Sequence, residues 1–363
     1  MRERFDEPLS HWTTLGVGGP ARRFAQPESE EELCALLRET RANREETMLL
    51  GGGSNVVVSD EGVAGCVVAL GGLRGVRRRT EQEDAVELEV AAGEPFDPFV
   101  ARCVAEGLAG LECLSGIPGL VGATPIQNVG AYGQEVSDCI VAVRSYDRRA
   151  DAIVELDAAA CGFAYRTSVF KTTHAGRHAV LSVTFRLRPG SPEPPRYAEL
   201  ARALAARDGT PDLAGVRETV LGLRRQKAMV LDPADPDSRS VGSFFTNPIL
   251  TDEEARAVET RARAAGLLGD GESLPRFAAG PGLSKLPAAW LIERAGFRKG
   301  YGRGAAGLSS KHCLAIVNRG GAAAREVVAL ARELRAEVLR RFGVILEAEP
   351  VFVGFVGGHP LAG

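Results

Sequence analysis

The sequence predicts an α/β fold, and three local patterns support this prediction. Ser29 and Glu32 have the spacing of a capping box, which places a helix directly after them. Residues 48–50 are apolar and lead into a glycine-rich turn, as a buried strand does. Apolar and acidic residues alternate over residues 86–90, which indicates a half-buried strand. The order strand, helix, strand is typical of an α/β protein.

Further along the chain, the same rules predict helices and strands in alternation. Asp97 is expected to cap a helix that has Pro98 at its first position. Thr251 and Glu254 form a second candidate capping box. Helical spacing of apolar residues is found over residues 213–223 and 327–342, and strands are predicted over residues 140–146, 181–187 and 344–349.

Composition excludes several classes of function. The 363 residues suggest two or three domains, and the net charge of −3 provides no basic footprint for nucleic acid. The sequence contains no apolar run of membrane-spanning length and no visible secretory signal. Seven scattered cysteines without a C-x-x-C pair favour reduced, buried thiols over disulfides or a metal site. We therefore expect a cytoplasmic protein that uses neither membrane, nucleic acid nor metal.

The stretch over residues 49–60 contains three successive glycines between two apolar runs. Glycines let the backbone approach a ligand closely, and successive N–H groups in such a turn can hold an anion such as a diphosphate. Ser54 and Asn55 add side-chain donors. The pattern is neither a P-loop nor a Rossmann fingerprint, because no Gly-Lys-Ser/Thr and no helix follows. A glycine-rich hairpin without a ligand is the alternative.

Residues 113–133 are rich in glycine and proline, yet apolar residues fill the gaps. A surface linker would be polar, so a buried irregular segment is expected. Its backbone groups need hydrogen-bond partners, which a bound polar ligand or ordered water would supply.

Several segments together resemble the UDP-N-acetylenolpyruvoylglucosamine reductase family, and the resemblance runs from about Leu15 to about Gly354. The segments that carry it are Gly16-Val17-Gly18-Gly19-Pro20, Leu50-Gly51-Gly52-Gly53-Ser54-Asn55, Gly116-Ile117-Pro118-Gly119 through Gln127-Asn128-Val129-Gly130-Ala131-Tyr132-Gly133, Tyr165-Arg166 with Phe170-Lys171, Gly242-Ser243-Phe244-Phe245 with Asn247-Pro248, and Leu346-Glu347-Ala348-Glu349.

The resemblance implies a two-subdomain FAD-binding fold of the vanillyl-alcohol-oxidase/PCMH type, followed by a C-terminal α+β substrate domain. We expect the first subdomain over residues 1–75, with residues 352–363 returning to it. The second subdomain is expected over residues 76–228 and the substrate domain over residues 229–351. A polar, proline-rich stretch over residues 232–238 marks the predicted boundary.

The resemblance also implies the cofactors and partners. FAD is bound non-covalently, NADPH is the reductant, and UDP-N-acetylglucosamine enolpyruvate enters the same cleft, in a monomer that serves peptidoglycan synthesis. The expected FAD-binding residues are Gly51, Gly52, Gly53, Ser54, Asn55, Gly116, Ile117, Pro118, Gly119, Gly122, Gln127, Asn128, Gly130, Ala131 and Tyr132.

Three catalytic residues follow from the family match. A hydride from flavin N5 reaches the enol-ether CH2, Ser243 supplies the proton, and Arg166 with Glu349 stabilises the enolate-like charge on the neighbouring carboxylate. The residues alone allow other interpretations. Arg166 could form an ordinary salt bridge, Ser243 could be a turn residue, and Glu349 could be a strand-edge charge with Glu347 as its competitor.

Five further residues match substrate contacts of the family: Tyr165, Tyr197, Lys227, Asn247 and His312. Tyr197 suggests the branch that has an extra tyrosine loop over the substrate, and a buried structural histidine is the alternative for His312. Thr167, Thr246 and Pro350 depart from the family pattern. Pro350 lacks an N–H and must lie at a strand edge or end.

Two rival functions remain at this point. One is a different flavin oxidase on the same fold. A covalent link to the flavin would support it, but His11 is the one histidine near the first glycine segments and offers little support for such a link. The other is a binding protein without catalysis, which the joint presence of Arg166, Ser243 and Glu349 disfavours.

Overall fold

The computed structural model describes residues 1–207, 209–269, 271–302 and 304–362, and within them the chain forms two compact units. The first unit comprises Met1–Glu7, Ala21–Gly53 and Ala64–Val230. The second comprises Pro8–Pro20, Ser54–Val63 and the described residues from Leu231 onward. The predicted division into two FAD-binding subdomains and a substrate domain stays a prediction.

The helices of the described chain are α1 (Glu30–Ala42), α2 (Phe96–Ala105), α3 (Ala198–Ala205), α4 (Leu213–Gln226), α5 (Asp252–Ala264), α6 (Ala288–Arg294) and α7 (Ala324–Phe342). Its strands are β1 (Arg2–Pro8), β2 (Pro20–Gln26), β3 (Thr47–Leu50), β4 (Val56–Val58), β5 (Val63–Ala69), β6 (Val76–Glu81), β7 (Val86–Ala91), β8 (Leu108–Ala109), β9 (Gly130–Ala131), β10 (Gln134–Glu135), β11 (Ile140–Asp147), β12 (Ala152–Asp157), β13 (His178–Pro189), β14 (Ile249–Thr251), β15 (Phe277–Ala278), β16 (Leu283–Lys285), β17 (Ala306–Leu308), β18 (Ile316–Asn318) and β19 (Val351–Val353). Short 3₁₀ helices connect several of them.

Two sheets organise the first unit. One has the strand order β1-β2-β5-β3, with β3 parallel to β5. The other is antiparallel in the order β12-β11-β13-β7-β6, and β8 pairs with the end of β13. Strand β13 has eight consecutive buried residues from His178 to Phe185, as expected for a strand covered on both faces. The sheets position the glycine-rich loops that follow β3 and α2.

The second unit packs helices α5, α6 and α7 around one apolar core that includes Phe244, Leu291 and Phe342. Strand β4 pairs in parallel with β19. The segment that contains β4 also reaches the N-terminus of α7, where the Asp60 carboxylate accepts hydrogen bonds from the Ala324 and Arg325 N–H groups at 2.7 and 3.1 Å. A carboxylate is favourable at this end of a helix.

Most predicted elements are confirmed with small shifts of their ends. Ser29 accepts a hydrogen bond from Glu32 N–H at the start of α1, but the Glu32 carboxylate binds the Glu28 N–H, so this predicted capping box is only half formed. The predicted capping box of Thr251 and Glu254 is complete at α5. Residues 86–91 alternate between buried and half-buried positions in β7. Pro350 comes directly before β19, so its missing N–H falls at a strand end, as predicted.

Two predictions of local structure are wrong. Helix α2 begins at Phe96 after Pro95, so Asp97 lies in the first turn and does not cap the helix. Its carboxylate binds the Gly116 N–H and Arg217 instead. Residues 344–349 form no continuous strand, since only Ala348 bridges to Phe245. In both cases a contact distant in sequence replaces the local pattern.

All seven cysteines are free and buried, as predicted. In the described parts of the chain, no helix has the length and apolarity required to cross a membrane.

Candidate functional site

Two of the predicted FAD-binding segments touch each other in the first unit. A Cβ added to Gly52 would lie 2.6 Å from Gly119 Cα, so only glycine allows the loop after β3 to approach the loop around residue 119 this closely. The Gly53, Gly116 and Gly119 φ angles of +64°, +76° and +112° are also ones that favour glycine. The two loops therefore form a narrow glycine-lined cradle, in which Gly52 and Gly119 are half-buried and Gly53 and Gly116 are buried.

Gly116 is held from both sides by residues that the sequence analysis did not identify as functional. Its N–H donates to Asp97 Oδ1 at 2.6 Å, and Arg217 pairs with the same carboxylate at 2.6 and 3.1 Å. Its carbonyl accepts a hydrogen bond from Arg224 Nη2 at 3.3 Å. Burial by itself would raise the pKa of Asp97, but Arg217 and the Gly116 N–H outweigh burial and hold that pKa below its usual value.

The segment from Gln127 to Tyr132 is held by the side chain of Asn128. Asn128 is buried, and its Nδ2 donates to Glu135 Oε2 at 2.7 Å while its Oδ1 accepts from Ser137 N–H at 3.1 Å. Asn128 and Tyr132 have left-handed φ angles of +47° and +50°. Such angles are costly for residues other than glycine and are found preferentially at functional sites.

Arg166, the predicted stabiliser of the enolate, lies beside this segment. Its Nη2 donates to the Gly130 carbonyl at 2.7 Å, and its guanidinium lies over the Tyr165 ring at 5.5 Å from the ring centre. Its own φ is +55°, and Lys171 Nζ donates to its carbonyl at 3.2 Å. The predicted substrate residue Tyr165 and the predicted cofactor residue Gly130 thus both orient the guanidinium.

Tyr197 and Lys227, both predicted to bind substrate, meet at Tyr132. The Tyr132 and Tyr197 rings pack edge to face at 5.7 Å, and Lys227 Nζ lies 5.9 Å from the centre of the Tyr132 ring. Lys227 also pairs with both carboxylate oxygens of Glu199, at 2.7 and 2.8 Å. Burial raises the pKa of Tyr132 to about 12, so its hydroxyl is neutral at physiological pH.

The second unit brings the other two predicted catalytic residues onto neighbouring backbone segments. The Glu349 N–H donates to the Phe244 carbonyl at 2.9 Å, and the Phe244 N–H donates to the Leu314 carbonyl at 2.7 Å. Ser243, next to Phe244, is half-buried, as is Glu349, whereas Glu347 is exposed. Of the two carboxylates in this motif, Glu349 is therefore the one more shielded from solvent.

Asn55 reaches the same place from the glycine-rich stretch. Its Nδ2 donates to the Glu349 carbonyl at 3.3 Å, and its own carbonyl accepts from the Val351 N–H at 3.0 Å. Ser54 and Asn55 therefore cluster with the Glu349 segment in the second unit, while Gly51, Gly52 and Gly53 cluster with the first.

The last two predicted substrate residues lie on structured loops of the second unit. Asn247 Oδ1 accepts a hydrogen bond from Ala288 N–H at 2.9 Å at the start of α6. Because the amide oxygen is used in this bond, the side-chain NH2 is the group that Asn247 would offer to a ligand. His312 is half-buried, and its backbone N–H donates to Ser309 Oγ at 3.2 Å. Asp237 accepts from the Ser309 and Ser310 hydroxyls at 3.0 and 2.6 Å and so holds this loop.

The residues of the first unit fit a dinucleotide with an anionic diphosphate. The Gly52–Gly119 cradle would be filled by any added Cβ. Of the remaining predicted cofactor residues, Gly122 packs so closely on Ala92 that an added Cβ would lie 2.5 Å from the Ala92 Cβ.

Comparisons with known proteins identify the family of this chain. A family described as FAD binding domain matches residues 21–156, and the C-terminal domain of UDP-N-acetylenolpyruvoylglucosamine reductase matches residues 233–353. The reductase of that name from Thermobifida fusca is 54% identical over 96% of this chain and 97% of its own. The one from Streptomyces coelicolor is 51% identical over 98% of this chain and 91% of its own.

A solved structure gives the same result. The crystal structure of UDP-N-acetylenolpyruvylglucosamine reductase (MurB) from Thermus caldophilus has a TM-score of 0.63, with 26% identity, over 97% of this chain and 98% of that one. The fold and the first unit's loops thus define an FAD-binding oxidoreductase, and the predicted fold class is confirmed. The chain belongs to the UDP-N-acetylenolpyruvoylglucosamine reductase family, whose enzyme is also called UDP-N-acetylmuramate dehydrogenase.

Proposed function

We propose that this protein reduces UDP-N-acetylglucosamine enolpyruvate to UDP-N-acetylmuramate, with FAD as bound cofactor and NADPH as reductant, in peptidoglycan synthesis. Its relatives carry the name of this reductase over nearly their whole length. The observation that carries the proposal is the backbone pairing of Phe244 and Glu349 at 2.9 Å, which puts a hydroxyl and a carboxyl group on adjacent segments of one unit.

The proposed roles follow from the chemistry of each side chain. FAD, when bound, supplies the hydride that the double bond accepts. Arg166 binds the substrate carboxylate with its planar guanidinium, which the Gly130 carbonyl orients at 2.7 Å. Charge that develops on this carboxylate in the transition state strengthens the interaction, so the arginine lowers the barrier.

Ser243 donates the proton to the carbon next to the substrate carboxylate, and Glu349 in its protonated form stabilises the same developing charge. A hydroxyl is a weak acid, so its position must be fixed for general acid catalysis. The burial of its neighbour Phe244, which is 0% exposed, and the Leu314 hydrogen bond at 2.7 Å both fix the backbone at this point.

The proposal extends to the substrate contacts. Tyr165, Tyr197, Lys227, Asn247 and His312 bind the sugar nucleotide, and Tyr197 covers it from the extra loop of one family branch. A cytoplasmic monomer completes the proposal. The seven free, buried cysteines support a reducing compartment, and light scattering of the purified protein checks the oligomeric state.

Half-reactions of Ser243→Ala test the proposed function. Under anaerobic conditions, NADPH should bleach the flavin of this variant at a rate within about 2-fold of wild type. Reoxidation by the enolpyruvyl sugar nucleotide should fall by about 10²- to 10⁴-fold, the usual contribution of general acid catalysis.

Ser273→Ala, which changes an exposed serine of the same unit, is the matched control and should change neither rate. Equal loss of both half-reactions in Ser243→Ala would refute the proton-donor role. A wild-type flavin that NADPH bleaches but that the sugar nucleotide does not reoxidise would instead favour the rival oxidase.

A further inference from the structure

The proline-rich stretch over residues 232–238, which the sequence predicts as a domain boundary, contains a buried carboxylate. Asp237 lies in a short 3₁₀ helix (Pro236–Ser238) and is 9% exposed, whereas Asp232 at the start of the stretch is exposed. Burial of a carboxylate costs free energy unless hydrogen-bond donors replace the water that it loses. The groups that donate to Asp237 therefore indicate what this residue does.

These donors belong to one turn, residues 309–315, which we call the His312 turn. Asp237 Oδ2 accepts from the Ser309 hydroxyl at 3.0 Å, from the Ser310 N–H at 2.8 Å and from the Ser310 hydroxyl at 2.6 Å. Lys311 of the same turn pairs with Asp235 at 2.7 Å. Two carboxylates of the proline-rich stretch thus hold the His312 turn, and Asp237 is the buried one.

The Ser309 hydroxyl passes this constraint on to His312. A hydroxyl has one proton to donate and two lone pairs that can accept. Because the proton points to Asp237, both lone pairs are free to accept the backbone N–H groups of Lys311 at 3.0 Å and of His312 at 3.2 Å. The His312 carbonyl accepts from the Ala315 N–H at 3.1 Å. Both backbone polar groups of His312 are therefore fixed, one of them by a hydroxyl that Asp237 orients.

The His312 turn also contacts the segment that carries the proposed proton donor. The Phe244 N–H donates to the Leu314 carbonyl at 2.7 Å, and Ser243 directly precedes Phe244. The turn is thus held by Asp237 near its start and by the neighbour of Ser243 near its end. This arrangement fixes the backbone of His312 relative to the backbone of Ser243 within the second unit.

We propose that Asp237 is a positioning residue for substrate binding. It orients the Ser309 hydroxyl, which fixes His312 for its contact with the sugar nucleotide. The inference rests on the proposed function, which assigns His312 to the sugar nucleotide and not to NADPH. Loss of the Asp237 carboxylate should therefore weaken binding of the sugar nucleotide and leave the reduction of the flavin by NADPH unchanged.

Stopped-flow half-reactions of the holoenzyme test this role with Asp237→Ala, Asp237→Asn and the control Asp232→Ala, which changes an exposed aspartate of the same stretch. In Asp237→Ala, the sugar-nucleotide concentration that half-saturates flavin reoxidation should rise about 10- to 100-fold, the loss expected for one hydrogen bond to a charged ligand. Asp237→Asn keeps an acceptor oxygen for the serine hydroxyls and should lie between wild type and Asp237→Ala. Asp232→Ala should match wild type, and all three variants should keep the rate of reduction by NADPH within about 2-fold.

A double variant separates positioning from a general loss of structure. If Asp237 acts through His312, adding Asp237→Ala to His312→Ala should change the half-saturating concentration by less than about 2-fold, because the contact is already lost. Effects of the two substitutions that multiply would overturn the inference, as would an unchanged half-saturating concentration in Asp237→Ala. Equal loss of both half-reactions in Asp237→Ala would also overturn it, since the carboxylate would then act only in folding.

Ser310→Ala provides the test if Asp237→Ala does not fold. This substitution removes the hydroxyl hydrogen bond to Asp237 and keeps the one from the Ser310 N–H. The half-saturating concentration should rise about 3- to 10-fold, and a wild-type value would overturn the inference. A reduced wild-type flavin that the sugar nucleotide does not reoxidise is a different result, because it contradicts the proposed function and the inference falls with it.

Discussion

Replacing Gly52 by alanine tests the contact between the two glycine-rich loops of the first unit. The new Cβ would lie 2.6 Å from Gly119 Cα and 3.1 Å from Gly119 C, whereas ordinary contact begins at 3.4 Å, so the loops must separate by about 0.8 Å. Both opposing atoms belong to the backbone and cannot rotate away. Overpacking of this kind costs about 1–3 kcal/mol.

This cost can appear in two places. It lowers the apoprotein's free energy of unfolding if the loops stay in contact without FAD, and it lowers FAD affinity if they open and must close on the cofactor. The two losses should therefore total about 1–3 kcal/mol, equivalent to about 5- to 150-fold in an equilibrium constant. Urea unfolding of the apoprotein and fluorescence titration with FAD measure them separately.

Gly51→Ala is the matched control, because its Cβ would meet only the Ala123 Cβ at the ordinary distance of 3.4 Å. Its apoprotein should keep wild-type stability within about 0.5 kcal/mol. The reasoning fails if Gly52→Ala retains both wild-type stability and wild-type FAD affinity. It also fails if Gly51→Ala destabilises the apoprotein as strongly as Gly52→Ala does.

Three further predictions follow. Glu349→Gln should slow flavin reoxidation by the sugar nucleotide about 10²-fold or more, whereas Glu347→Gln, at an exposed position, should not. Stopped-flow absorbance measures both rates, and equal effects of the two substitutions would contradict the catalytic role of Glu349. Gly222→Ala, inside α4 with no atom within 4 Å of the added Cβ, should stabilise the protein by about 0.5–1 kcal/mol in urea unfolding, and a loss of stability would contradict the free space there. Burial raises the pKa of the Cys66 thiol to about 11 and that of Cys103 to about 12, so a thiol reagent at pH 8 should label neither before unfolding. Because these thiols ionise at lower pH in the unfolded chain, their contribution to stability is complete below about pH 9 and is lost as the pH rises toward 12; urea midpoints that stay constant over that range would argue against it.

Local structure could be predicted from the sequence where residues a few positions apart determine it. The caps at Ser29 and Thr251 and the alternation in β7 depend on residues a few positions apart, and the structure confirms all three. Asp97 shows the limit of this reasoning. Its spacing before Pro98 suits a helix cap, but Gly116 and Arg217 bind the carboxylate from distant parts of the chain.

The candidate site was predictable only in part for the same reason. Glycine segments and the family resemblance led to Gly52, Gly119, Arg166, Ser243 and Glu349. The resemblance could not reveal Arg224, since an arginine near a helix end has many ordinary explanations. Its distinguishing feature is the hydrogen bond to the Gly116 carbonyl, which exists only in the folded chain.

The choice between Glu347 and Glu349 illustrates how structure refines a sequence alternative. Both carboxylates belong to one short motif, and spacing alone does not separate them. In the folded protein Glu349 is half-buried and its N–H binds Phe244, whereas Glu347 is exposed and its carbonyl accepts from Thr246 N–H at 2.9 Å. The proposed role of Glu349 stays a prediction that the comparison of Glu349→Gln with Glu347→Gln tests.

The central claim is that this chain passes reducing equivalents from NADPH through bound flavin to an enolpyruvyl sugar nucleotide. An anaerobic titration of the purified protein tests it most directly. We expect NADPH to bleach the flavin absorbance and one equivalent of UDP-N-acetylglucosamine enolpyruvate to restore it, with UDP-N-acetylmuramate formed in the same amount. A protein that holds no flavin, or whose reduced flavin stays bleached when the sugar nucleotide is added, would contradict the account.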